Sequence, residues 1–491
     1  MYNKNEFLIF AYHAVCDDWW AEGNGENRVV TRFPSSLTTP ETVKLYKDAG
    51  FNVMFVSYVF EFCALEEDFQ TSKLKAVMDM AWEQGLPCIV FIKEIHRLSS
   101  TVGSLIDPEK ADGEKFFASE EELTAYVGRV LQEVKEHPAF FGCSIKDEPL
   151  YSHFKAQGQV WRAIRTVCPN AYVNANLLPY SPELITVGAA SELTTGGRKF
   201  YAEDERELVD TYGFEEGSKM AYRKYLQLFY DEVKPEIMQY DDYPIRERGP
   251  KGSSEAESYL LFSHIVNAQI VADFCKEKGL QFSKVFQTCG GGTSSKLWRK
   301  PSERDMYWQI HIGMAMGIKG FSYWSYYPVV NSGGEFYDET ASFVDRKGEP
   351  NETYYVMQKL HNEMRAVDTM LKKFDYQAMK LCVRGDVAEN SDCIRYAERN
   401  GELSEIKSIR LEREGVLLIT EMRERETGRK GYWVVNATDP ILNEEQTAKV
   451  EFENFNEALI YRNGVERKEK FENNVATFVL RAGQGVFVLP Y

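Results

Sequence analysis

Along its first two-thirds the chain repeats one pattern: a short, nearly continuous apolar run, then a stretch whose apolar residues recur at helical spacing. The runs are Phe7–Ala14, Phe51–Val59, Leu86–Glu94, Ala139–Glu148, Ala171–Leu178, Glu236–Ile245, Phe282–Thr288 and Gly320–Tyr327. Runs that are apolar at consecutive positions predict parallel strands covered by helices, since half-exposed strands alternate. The stretches between them carry helix punctuation. Thr39-Pro40 supplies an N-cap and a first-turn proline. Ser119-Glu120-Glu121-Glu122 reads as a capping box. Gly85 and Gly279 read as left-handed stops.

Eight such units predict a (β/α)8 TIM barrel over residues 1–374. The competitor, an open doubly wound sheet, would carry a Gly-rich turn after its first strand, where this chain has His13-Ala14-Val15-Cys16. Three post-strand segments are long: Cys16–Leu37 with Trp19 and Trp20, Ser181–Lys219, and Pro328–Asn351. Loops of this length on the catalytic side of a barrel are expected to be functional. From Asp375 the pattern changes to short strand-like pieces, Gly415–Glu421, Lys430–Asn436, Ala448–Phe452, Val475–Leu480 and Gly485–Leu489, separated by charged turns. A small all-β domain, an antiparallel sandwich over residues 375–491, is predicted, packing on the barrel or shaping a homo-oligomer.

Composition narrows the function. The 491 residues carry a net charge of −17, which disfavours nucleic acid and anionic membranes as partners. No apolar run approaches the ~20 residues of a membrane span. Nine cysteines without a C-x-x-C pair point to buried thiols in a reducing compartment, and the cytoplasm is expected. The dispersed seven histidines predict no metal site, and no cofactor motif is present. Gly290–Gly292, followed by Thr293, Ser294, Ser295 and Lys296, lacks a full phosphate motif and reads as a turn.

The fourth run ends Lys146-Asp147-Glu148-Pro149. Proline cannot continue the ladder, so the strand stops with Glu148 at the barrel mouth. The sixth run ends Tyr240-Asp241-Asp242-Tyr243-Pro244. Alternate strands contribute to one layer, so Glu148 and one of Asp241 or Asp242 are expected to face each other. Side-chain alternation turns only one Asp inward, and the polar face Gln239, Asp241, Tyr243 favours Asp241. Two carboxyl groups suit glycosidic cleavage: one protonates the leaving oxygen while the other attacks or stabilises the oxocarbenium-like centre, or activates water. A small carbohydrate substrate is the expected partner. Asp147, His13, Trp19, Trp20, Lys146, Asn174, Asn176, Tyr243, Gln287, Trp324 and Tyr326 are candidate sugar contacts, since hydroxyls need polar partners and sugar faces need flat apolar walls.

Ile145-Lys146-Asp147-Glu148-Pro149 resembles the fourth-strand signature of clan A glycoside hydrolases, with family 42-like β-galactosidases among the relatives. Gly320-Phe321-Ser322-Tyr323-Trp324-Ser325-Tyr326 resembles their aromatic eighth strand. The resemblance implies the barrel-plus-sandwich plan and Glu148 as the acid catalyst. It also implies a nucleophilic Glu ending strand seven, but this chain reads Val285-Phe286-Gln287-Thr288 there. The second carboxyl group is therefore expected on strand six. The rivals are another barrel sugar enzyme (a lyase, isomerase or phosphosugar enzyme, with Lys146 or Lys93 as a Schiff-base candidate) and a carbohydrate-binding barrel without catalysis.

Overall fold

The computed structural model describes residues 6–17, 19–22, 29–32, 34–56, 62–180, 208, 211–212, 214–246, 261–293, 296–328, 336–338, 340–385, 402–442 and 444–491. Eight parallel strands form one sheet: β1 Leu8–Ala11, β2 Met54–Val56, β3 Cys88–Phe91, β4 Phe140–Asp147, β5 Tyr172–Leu177, β6 Ile237–Asp241, β7 Gln281–Gln287 and β8 Gly320–Trp324. The ladder runs from β2 through β7 in chain order, then to β8 and β1. The seam between β1 and β2 is spanned by the N–H groups of Asn52 and Val53, which donate to the Ile9 carbonyl at 3.1 and 3.4 Å. Each strand lies within one of the apolar runs of the sequence except β7, which starts one residue earlier.

Local chemistry sets the helix ends as the sequence implies. The Thr39 hydroxyl accepts from Thr42 N–H, with Pro40 in the first turn. Ser119 caps residues Glu120–Val130 by accepting from Glu122 N–H, but the Glu122 carboxylate accepts from Ala118 N–H, so the expected reciprocal box is not made. Gly279 closes Asn267–Lys278 in the left-handed conformation. Alternation then sorts the strand residues. Leu8, Phe10 and Tyr12 join Val53, Phe55, Ile89 and Val285 in an inner cluster. Ile9, Ala11, Val56, Val90, Cys143 and Phe286 belong to the larger core beneath the helices.

Beyond the last barrel helices the chain builds antiparallel sheets of six and three strands, with Leu417, Ile419, Val450, Phe478 and Val488 packed between them. Four strands that the sequence pattern did not reveal complete them: Phe374–Arg384, Ile406–Leu411, Glu457–Arg462 and Val465–Lys470. The last is exposed at every position, an edge strand of charged residues with no apolar rhythm to read. Barrel and sheets are joined by hydrogen bonds as well as apolar contact. Trp308 Nε1 donates to the Ala437 carbonyl at 3.0 Å, and His311 Nδ1 to that of Gly483 at 2.8 Å.

The β4–β5 pair, which carries the candidate site, is held close at its start. A Cβ on Gly142 would lie 1.7 Å from the Tyr172 carbonyl oxygen, a backbone clash that no rotamer relieves. Gly142→Ala is expected to destabilise the protein by about 3 kcal/mol or more, read by thermal melting. A loss within about 1 kcal/mol would show that the strands part freely there.

Candidate active site

β4 contains a register shift. Ser144 lies opposite Asn174, but Lys146 lies opposite Ala175 and Asp147 opposite Asn176. The extra residue, Ile145, changes the side-chain phase, as a bulge does. Without it Lys146 would face the barrel axis and Asp147 the helices. With it, Lys146 Nζ reaches outward to Ser100 Oγ at 2.9 Å. Lys146, a candidate sugar contact, is therefore corrected to the outer face of the strand, which also removes it as a Schiff-base candidate in the mouth.

The bulge brings Asp147 to Asn176. The Asn176 amide donates to Asp147 Oδ1 at 2.9 Å and to Asp241 Oδ2 at 3.1 Å. Its backbone carbonyl accepts from Glu148 N–H at 2.8 Å. Tyr243 OH donates to the same Asp241 oxygen at 3.2 Å. Glu148 has φ of +43°, a left-handed conformation strained for a non-glycine residue and disfavoured before proline. This turn sends its side chain away from the strand direction, and the carboxyl groups of Glu148 and Asp241 come within hydrogen-bonding reach.

Three carboxyl groups thus converge at the C-terminal end of the barrel. Asp241 is 3% exposed. Burial, then the charges of Glu148 and Asp147, hold its pKa well above the usual carboxylate range. Asp147 is exposed at the rim, and its pKa is nonetheless raised, desolvation outweighing the Asn176 hydrogen bond and the Lys146 charge. A layer deeper, Tyr12 OH accepts from Asn174 Nδ2 at 3.2 Å and Gln239 Nε2 at 2.8 Å. Asn174 therefore supports the cluster from below, whereas Asn176 belongs to it. Tyr12 was not singled out in the sequence, although its spacing from Leu8 and Phe10 was the available signal.

Trp324 is only partly buried, with its ring 4.8 Å from His13 and 6.0 Å from Tyr12; the Trp324–Ser325 peptide is cis. Burial lowers the His13 pKa to about 4, so its ring is neutral at neutral pH.

Three further candidates are corrected. Asp242 points outward to Lys284 and His264 at 3.1 and 3.2 Å. Tyr326 packs among Tyr46, Phe51 and Phe343 in the core behind the barrel, because the chain leaves the strand at Trp324. Gln287 is fully buried. It accepts from Ile245 N–H at 2.8 Å and donates to the carbonyls of Ile245 and Cys289 at 2.9 and 3.0 Å, clamping the loop after β6. Trp19 and Trp20 belong by backbone to a hairpin of Trp19–Glu22 with Val29–Arg32; their side chains lie outside the described residues. Gly290–Thr293 is a strand of a small three-stranded sheet rather than a turn. A shallow crevice between barrel and C-terminal sheets, lined by His311, Met364, Trp433 and Arg462 among others, contains none of the candidates. Among the described residues, no group of three or more His, Cys, Asp or Glu is placed to hold a metal ion, and no helix is long and apolar enough to cross a membrane.

Fold and site together define a (β/α)8 barrel with a carboxyl-rich mouth and a β C-terminal region. Comparison with protein-family models gives no match, and neither does comparison with curated proteins. Solved structures align along much of the chain. One is described as a glycoside hydrolase (TM-score 0.48, 11% identity, covering 92% of this chain and 89% of that one). Another is a family 5 glycoside hydrolase from Bacteroides vulgatus (TM-score 0.45, 12% identity, 92% and 86%). A third is an α-amylase from Anoxybacillus (TM-score 0.45, 8% identity, 100% and 99%).

The raised pKa of Asp241 has a consequence for stability. Between the unfolded value of ~3.9 and the higher folded one, the folded state binds more protons than the unfolded state, so stability falls as pH rises through that window. Asp241→Asn keeps the acceptor for Asn176 and Tyr243 and has no charge to bury. Its Tm is expected to exceed that of the wild type at pH 8 and to lose that advantage by pH 4. Equal melting at both pH values would show that Asp241 titrates normally.

Proposed function

We propose that the chain is a glycoside hydrolase acting on a small glycoside or oligosaccharide, with Glu148 and Asp241 as its two carboxyl groups. The observation that carries this reading is the buried Asp241 carboxyl set against Glu148 at the catalytic end of the barrel. Two carboxyl groups this close titrate as a unit and hold one proton between them over a broad pH range. That is the charge state glycosidic cleavage needs, one acid and one carboxylate. The shared proton rests on buried Asp241; for the reaction it passes across their contact to Glu148, open at the mouth, which gives it to the leaving oxygen. Asp241, once ionised, is stabilised by the Asn176 and Tyr243 donors and faces the sugar carbon. Asp147 accepts from a ring hydroxyl, and the Trp324 ring supplies an apolar wall beside His13.

Carboxyl groups in contact leave no room for the ~6.5–9.5 Å gap of an inverting pair and lie nearer the ~5–5.5 Å of a retaining pair, though closer still, so retention of configuration is the reading tested. The plan is that of clan A-like enzymes with the strand-seven acid replaced by one on strand six. Free thiols at every described cysteine suit the cytoplasm and imported small substrates.

The test is an aryl glycoside panel assayed with wild type, Glu148→Gln and Asp241→Ala. Either substitution is expected to lower kcat by several powers of ten while the fold survives, azide restoring part of the Asp241→Ala loss. Proton NMR of the first-formed sugar should show the anomer of the substrate. A wild type that turns over no glycoside, or a Glu148→Gln variant of near-normal activity, overturns the reading. Trp324→Ala should raise KM and lower kcat, as the loss of a positioning wall does; unchanged kinetics would remove Trp324 from the site.

A further inference from the structure

Directly behind the mouth, on the outer face of the sheet, lies a second set of charged groups that the proposed reaction does not use. Lys284 on β7 and His264 before the helix Asn267–Lys278 are fully buried, and Asp242 is 3% exposed. Lys284 Nζ lies 3.1 Å from Asp242 Oδ2 and 2.6 Å from His264 Nδ1. His264 Nδ1 also lies 3.2 Å from Asp242 Oδ2, so the three groups close a triangle around that carboxylate oxygen. Burial, then the Lys284 charge, lowers the His264 pKa to about 4, in keeping with a neutral ring. Lys284 also sits against the rings of Tyr240 and Phe286 at 5.4 and 5.5 Å, and His264 stacks on Trp308 at 4.6 Å.

We infer that Lys284, Asp242 and His264 form a positioning cluster for Asp241, fixing which way strand six presents its two acids and the pH at which Asp241 takes its proton. The inference rests on the proposed role of Asp241. Asp241 and Asp242 are adjacent, so their side chains leave opposite faces of the strand. Asp241 is tied inward by Asn176 and Tyr243, and Asp242 outward by Lys284. The peptide between them is held from both sides. A buried ion pair gives little stability over well-packed apolar residues, so its contribution here is geometry and field. The groups acting on Asp241 are Glu148 and Asp147 from β4, Asn176 from β5, Tyr240 and Tyr243 on its own segment, Tyr12 at the end of β1, and Lys284 behind it. Lys284 is the cation among these.

Two single variants separate this role from a merely structural one. Asp242→Asn leaves the Lys284 charge uncompensated, so the pH at which Asp241 takes its proton should fall by about half a pH unit or more. Lys284→Met removes the cation, so that pH should rise. Carboxyl 13C NMR of the full-length folded protein reads both shifts without any substrate. Shifts of the same sign, or none, overturn the inference. In a third variant, Asp242→Leu, Lys284→Met and His264→Phe are combined. It is expected to melt no lower than wild type, with kcat down tenfold or more and KM little changed. A triple variant that fails to fold, or one that keeps kcat within twofold, also overturns it. If the wild type hydrolyses no glycoside, the functional reading fails, while the carboxyl titration still decides whether the cluster acts on Asp241.

Discussion

One side chain, Asn176, ties the acidic mouth together. Its amide donates to Asp147 and Asp241 at once, and its backbone oxygen holds Glu148 N–H. Three carboxyl groups in one concave mouth repel each other, and two remedies are open to them: share protons, or find donors. Asn176 supplies two donor bonds to the cluster from a residue 2% exposed on a rigid strand. Its amide is fixed in orientation, because an oxygen turned toward two carboxylates would add repulsion. The strained turn at Glu148 is anchored on the same residue, so strain and charge are carried by β5 rather than by a loop.

The barrel wall separates two electrostatic environments only one residue apart. On the inner side Asp241 has its proton affinity raised by burial and neighbouring acids. On the outer side Asp242 is buried too, but Lys284 and His264 outweigh that burial and hold its pKa below the usual range. Strand geometry alone produces the contrast, since adjacent residues leave opposite faces. Continuity extends further out, because His264 stacks on Trp308, and the Trp308 ring nitrogen reaches the C-terminal sheets at Ala437. Those sheets therefore brace the helix that backs the site while contributing none of the candidate residues.

The sequence by itself determined the eight strand–helix units, the change to β structure near residue 375, the helix caps and the two acidic strand ends. Each is written in local order, by hydrophobic runs, capping residues and prolines that act over a few positions. It also showed that only one of Asp241 and Asp242 faces inward, because alternation is a local rule. A lysine set within the apolar run Phe282-Ser283-Lys284-Val285-Phe286 was a visible sign of a buried charge, but its partner was not legible. The tertiary structure decided the rest. The bulge at Ile145 depends on pairing with β5, so nothing in the order of residues revealed that Asp147 and not Lys146 turns inward. Gln287 and Tyr326 share the composition of site residues, yet long-range packing gives one to a loop clamp and the other to the core. The meeting of Glu148 with Asp241, 93 positions apart in the chain, exists only once the barrel closes, because a through-space contact between distant strands leaves no periodic trace in either of them.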